Sequence, residues 1–182
     1  FFHEVKSLVN LHKLEVEILN CKVLKNKELL NEDEIILGKL SDNVCTMFTS
    51  GTSGPSKGVM MPNAHCVLFA IGTIENYNLK DDHTFYISLP LFHANGLFMQ
   101  LLACIMTGAK AVIRTRFSAS NWLNDIRNYN ITHTNMLGAI AAFIVAQPPT
   151  KYDKDHNLEV IGSAPLPSEP EKIFRNRFGV KY

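Results

Sequence analysis

From residue 44 onward, short apolar runs bounded by turn residues alternate with longer stretches whose apolar positions recur every three or four residues. That alternation constrains the fold more than any other feature of the chain. Short β-prone runs can pair as parallel neighbours only if a crossover of a dozen or so residues separates them, and helices supply it. The spacing predicts strands at 44–48, 85–89, 111–114, 131–135 and 158–161, with 59–61 also extended. It predicts a helix from Asn63, taken as its cap, with Val67, Ala70, Ile71 and Ile74 on the packed face. Residues 94–107 read as a well-buried helix ended by Gly108, and 137–147 as one stopped by Pro148 and Pro149. Ser118 opens a helix carrying Trp122, Ile126 and Tyr129, and Ser168 with Glu171 forms a capping box for the last one. The expected fold class is α/β, a largely parallel sheet flanked by helices. In such sheets ligands bind beyond the carboxyl ends of the strands, so the loops after Phe48, Leu89 and Ile161 become the places to search.

Composition narrows the class further. The 182 residues suit one domain, and 46% apolar against 19% charged residues excludes wholesale disorder. Eighteen basic and seventeen acidic residues leave a net charge of +1, which gives no electrostatic pull toward nucleic acid or an anionic membrane. No apolar run approaches the ~18 residues of a membrane span. Phe1-Phe2-His3-Glu4 lacks the basic stretch and apolar block of a signal peptide. Cys21, Cys45, Cys66 and Cys104 form no Cys-x-x-Cys pair, so they read as free thiols, mostly buried, in a reducing cytoplasm. Before residue 44 the signal is weaker: a strand at 16–23 and a charged surface connection at 25–34 are expected. The chain starts without Met and stops with no tail, so it is expected to be a piece of something longer.

The first of the three loops reads Thr49-Ser-Gly-Thr-Ser-Gly-Pro-Ser-Lys-Gly-Val59. Glycines let backbone N–H groups approach an anion, hydroxyls of Thr49, Ser50, Thr52 and Ser53 donate to phosphate oxygens, and Lys57 adds charge. This is the chemistry of a polyphosphate cradle, although a solvated turn is the plain alternative for any Gly/Ser-rich loop. It is not a P-loop: Ser56 stands where the second glycine belongs and Gly58 where the magnesium-binding hydroxyl belongs.

The order of these residues resembles the signature of the adenylate-forming (AMP-binding) enzymes, the superfamily of acyl-CoA synthetases, luciferases and peptide-synthetase adenylation domains. Ser53 replaces the usual Thr, and Pro55-Ser56 varies the usual residues before the lysine. Leu89-Pro-Leu-Phe-His-Ala-Asn-Gly96 resembles the family's second motif, and Gly162-Ser-Ala-Pro-Leu-Pro167 the segment that packs against adenine. The resemblance implies that Thr49, Ser50, Gly51, Thr52, Ser53, Gly54 and Lys57 bind ATP phosphates. It implies that His93 lies at the acyl carboxylate, orienting it rather than acting as a base, and that Gly162, Ser163, Ala164 and Pro165 border adenine. It implies a two-step reaction: a carboxylic acid and ATP, with Mg2+, give an acyl-adenylate and pyrophosphate, and coenzyme A then displaces AMP. Trp122 reads as core. Phe92 and Phe98 read as core too, with the border of the acyl pocket as the alternative. The remaining histidines, His3, His12, His65, His83, His133 and His156, read as structural or exposed.

Other family elements have no counterpart here. There is no Tyr-Gly-x-Thr-Glu segment for magnesium, no Thr-Gly-Asp segment for ribose, and no C-terminal domain with its lysine. Residues 1–182 are therefore expected to be a partial N-terminal domain, unable to form acyl-adenylates alone. The acyl-CoA synthetase branch is favoured, and the Phe92-His93-Ala94-Asn95 and Gln147-Pro148-Pro149 contexts resemble crotonobetaine/carnitine-CoA and medium-chain acyl-CoA ligases. Two alternatives stay open: an adenylation domain that loads a carrier protein, and a non-catalytic module that binds nucleotide or a partner.

Overall fold

The computed structural model describes residues 38–49, 54–165 and 168–180. The strand expected at 16–23 and the connection at 25–34 lie outside them, as does Cys21. Two strands come first: β1 (Asn43–Phe48) and β2 (Gly58–Pro62). They pair antiparallel, with Cys45 opposite Met61, Thr46 opposite Met60 and Phe48 opposite Gly58. Then α1 (Asn63–Tyr77) leads to β3 (Thr84–Ile87). The next helix, α2, is a π-helix over Asn95–Leu102 and an α-helix over Ala103–Thr107. It is followed by β4 (Lys110–Ile113), α3 (Ala119–Asn128), β5 (His133–Leu137), α4 (Gly138–Val145) and β6 (Val160–Ala164). The last helix, α5, is α-helical over Ser168–Ile173 and π-helical over Phe174–Phe178.

Four strands form one sheet in the order β4-β3-β5-β6, and every pair is parallel. The pleat then divides the core in two. Phe85 and Ile87 of β3 pack with Ala70 and Leu79 on the α1 side and with Ala103 and Cys104 of α2. Tyr86, Met136 and Ile161 point the other way, into a cluster with Trp122, Ile126, Ile144, Phe174 and Phe178. Trp122 is core as expected, with its ring edge-on to Phe174 and Phe178. Arg177 ties α5 to the end of α4: its guanidinium donates to Asp153 (2.5 Å) and to the carbonyls of Gln147 (2.7 Å) and Pro148 (2.9 Å). The three described cysteines are free, with Cys66 and Cys104 buried and Cys45 half-buried.

The α/β class and the parallel sheet are as the sequence implied; several local readings are corrected. The first strand does not join the parallel sheet. It is followed by a loop and another strand, with no helix to carry the chain across, so it folds back as a hairpin. The loop after Phe48 therefore sits at the tip of this ribbon. The last strand is Val160–Ala164 rather than 158–161, because the Glu159 and Val160 amides both turn to the Thr132 carbonyl (2.8 and 3.2 Å) before the ladder begins. Gly162, Ser163 and Ala164 thus lie in the strand.

Asn63 is not the cap of α1. Pro62 holds that position, and Asn63 spends its side chain on the Lys39 carbonyl (3.0 Å). The first helical N–H groups are satisfied by loop carbonyls instead, Asn63 N to Asp42 O and Ala64 N to Leu40 O, both 2.9 Å. The buried face of α1 is Cys66, Ala70 and Thr73, and Ile71 is exposed. The C-terminal turn of α2 exposes Ile105 and Met106, so that helix is less buried than its composition suggested. Gly108 does end it, at φ 80°. Tyr129 lies beyond α3 and is exposed. In α5 the Glu171 carboxylate takes two hydrogen bonds from Arg175, one turn on (3.0 and 2.9 Å).

Candidate functional site

The loop is closed at its base by hydrogen bonds between Thr49 and Lys57. Thr49 N donates to the Lys57 carbonyl (3.0 Å), and Lys57 N donates to Thr49 Oγ1 (3.4 Å). Gly54, Pro55, Ser56 and Lys57 are all exposed. Ser50, Gly51, Thr52 and Ser53 lie outside the described residues.

The second motif follows β3. Its chain turns at Pro90, whose carbonyl accepts from His93 N (3.2 Å), and runs straight into α2. Gly96 is required there: a Cβ would lie 2.5 Å from the Pro90 carbonyl oxygen. His93 is exposed, with its ring against that of Phe92 (centroids 4.7 Å). Phe92 is 75% exposed, which corrects its reading as core; it projects from the turn before α2 begins. Phe98, a turn into α2, is buried with Met61 and Cys66.

A hollow of about 380 Å³ brings the first two motifs together. Thr49, His93 and Ala94 line it, over a floor of Met47, Met61 and Phe69. A polar rim over apolar walls is the ordinary make-up of a small-molecule site. The sequence placed these residues about forty positions apart. The packing of Met61, Cys66 and Phe98 between ribbon, α1 and α2 makes them neighbours.

The third motif lies elsewhere on the sheet. Gly162, Ser163 and Ala164 form the end of β6, and Pro165 follows a cis peptide. Ser163 Oγ donates to the Pro165 carbonyl (3.1 Å). Gly162 and Ser163 line a cavity of about 850 Å³ with Tyr77, His83, His133 and Glu159, whereas Pro165 lines a separate hollow beside Gly138 and Ala142.

Sequence reasoning missed a partly buried polar chain between the second and third motifs. Gln100 Nε2 donates to Asn95 Oδ1 (2.7 Å), Asn95 Nδ2 to Asn135 Oδ1 (3.4 Å), and Asn135 Nδ2 to the Tyr77 hydroxyl (2.8 Å). The one hint was a glutamine inside the apolar run 96–106. Burial pushes the Tyr77 phenol pKa up, partly opposed by the bond from Asn135. His133, on the same strand face as Asn135, is held below its ordinary range by burial, although its Nε2 lies 3.0 Å from the Tyr77 carbonyl.

A family description, AMP-binding enzyme, matches residues 5–182. Among curated proteins the chain is 30% identical over 140 residues to the medium/long-chain-fatty-acid–CoA ligase FadD17 of Mycobacterium marinum, covering 76% of this chain and 28% of that protein. It is 29% identical over 144 residues to long-chain fatty acid transport protein 6 of Mus musculus, covering 79% and 23%. The chain thus spans about a quarter of the length of these relatives. Among solved structures, the inhibitor-bound N-terminal domain of FACL13 from Mycobacterium tuberculosis matches with a TM-score of 0.70 at 22% identity, covering 83% of this chain and 38% of that one. Apo MatB from Rhodopseudomonas palustris matches with a TM-score of 0.69 at 20% identity, covering 81% and 30%. Both likenesses speak for the fold. Among the described residues no helix is long and apolar enough to cross a membrane.

Proposed function

The chain belongs to the AMP-binding enzyme family, and on that premise we propose that it supplies the phosphate-binding and acyl-binding part of an ATP-dependent acyl-CoA synthetase. The observation that carries the reading is the shared hollow of Thr49 and His93. One ligand end would meet the hydroxyl- and glycine-rich loop while the other meets the histidine turn. The difficulty of the reaction is repulsion between a carboxylate and a triphosphate. Thr49, Ser50, Gly51, Thr52, Ser53 and Gly54 would offer hydroxyl and N–H donors to the phosphates, and Lys57 a cation, stabilising charge that moves onto the departing pyrophosphate. His93 would orient the carboxylate; a carboxylate nucleophile needs no proton removed. Gly162, Ser163, Ala164 and Pro165 would border the adenine. The carboxylate oxygen bonds to the α-phosphorus as pyrophosphate leaves, and the coenzyme A thiol then displaces AMP to give a thioester.

Magnesium would shield the triphosphate charge. Among the described residues no three His, Cys, Asp or Glu side chains converge on a metal, so no step is assigned to an ion held by this chain. A medium- or long-chain fatty acid is the acyl group we favour, by similarity to the medium/long-chain-fatty-acid–CoA ligase FadD17. Three free cysteines agree with a cytoplasmic setting. A carrier-protein acceptor is separated from coenzyme A by supplying each thiol in turn to the full-length protein.

Titration of the chain with ATP tests the assignment. Lys57→Ala and Thr52→Ala should each weaken ATP about tenfold, the scale of losing one charge-assisted hydrogen bond. Unchanged affinity in both removes the loop from the site.

A further inference from the structure

The chain of Gln100, Asn95, Asn135 and Tyr77, buried at Gln100 and Asn135 and half-buried at Asn95 and Tyr77, connects α2, β5 and α1 and reaches two of the motifs. Asn95 stands two residues after His93, beside Gly96, which is packed on the Pro90 and Leu89 carbonyls. At the other end the Tyr77 hydroxyl fills the space beside Gly162: a Cβ there would lie 1.6 Å from that oxygen. Asn135 and Gly162 are ladder partners across β5 and β6. Tyr77 is therefore bonded to one member of that rung and seated on the other. Gln100 is fully buried and Asn135 nearly so. Apolar side chains could fill this space, but they would not fix direction. Hydrogen-bonded amides do, because a buried amide that loses its partner is costly.

We propose that Gln100, Asn95, Asn135 and Tyr77 form a positioning relay that sets the end of β6 at Gly162 against the His93 turn, fixing the distance between the nucleoside and acyl ends of the site. The proposal rests on the reading given above, in which Gly162 to Pro165 border adenine and His93 faces the acyl group. None of the four need touch a ligand. None of the four lies in the ribbon or lines the hollow at Thr49, so the relay governs how the nucleoside is held rather than the phosphate loop.

Tyr77→Phe keeps the ring on Gly162 and removes the acceptor for Asn135 Nδ2. The dissociation constants of ATP and of inorganic tripolyphosphate are measured on the purified wild-type chain and on this variant, with Tm as a check on folding. ATP should weaken about tenfold in the variant and tripolyphosphate should stay within about twofold. Asn135→Ala, which cuts the chain at its centre, should give the same split and serves if Tyr77→Phe fails to fold. A folded variant that binds ATP as tightly as wild type overturns the relay. Equal loss of both probes also overturns it, because that is general loosening. Wild-type protein that binds neither probe overturns the proposed function and takes the relay with it, which is a different result from either of the others.

Discussion

The four-stranded sheet and the two-stranded ribbon are built from similar residues and have opposite characters. All four residues of β3 are buried, and every neighbour of β3 is a parallel strand. In β1 only Cys45 and Met47 turn inward, while Val44 and Phe48 face out, as Met60 does on β2; Phe48 and Met60 are 72% and 71% exposed. One is scaffold and the other holds a loop. The loop proposed for the phosphates belongs to the ribbon, where little core is at stake. The polar chain from Gln100 to Tyr77 runs instead against the sheet, with Gln100 and Asn135 buried. A parallel sheet gains its rigidity from helices on both faces, and a hairpin has only one covered face.

The sharpest way to test the contrast is to damage the scaffold. Trp122→Ala removes a fully buried ring from the cluster of Phe174 and Phe178 and should cost about 3–5 kcal/mol in urea unfolding. A loss below about 1 kcal/mol would mean that α3 and α5 are not one packed unit. A middle-sized effect comes from pH. Burial holds His133 below its ordinary 6.5, and His156 shifts the same way for the same reason. His83 stacks on His133 at 4.4 Å, a second positive charge that would oppose protonation, while Glu159 pulls the other way. The unfolded chain therefore takes up these protons first as pH falls. Stability is full above about pH 6.5 and drains away below it. Tm should fall between about pH 7.5 and 5.5, with a shallower slope in His133→Gln; equal slopes would place the loss elsewhere. The smallest effect belongs to the ribbon's outer face. Met60→Thr should change stability by no more than about 0.5 kcal/mol, and a larger loss in urea unfolding would show that this face is covered.

Legibility in the sequence followed the same division. Strand β3 was readable because burial on both faces writes a continuous run of large side chains, and the helices because their packed stripes repeat. Gly108 and Pro148 marked their ends by backbone chemistry alone. Partnership was not readable. Residues 44–48 look like any buried strand, and nothing local says that their neighbour is the antiparallel 58–62. Asn63 has a cap's chemistry but lost that role to carbonyls of residues 40–42, which no window around it contains. Phe92 is apolar and exposed because the turn at Pro90 aims it outward.

The sequence by itself determined the α/β class, the family and the order of three motifs, since each rests on residue type and spacing along the chain. Only the tertiary structure decided that Thr49 and His93 share one hollow, that Gly162 is glycine because the Tyr77 hydroxyl occupies its missing Cβ, and that four polar residues on three elements form one chain. Those facts depend on distances between segments far apart in sequence, and such distances are set by which faces pack together.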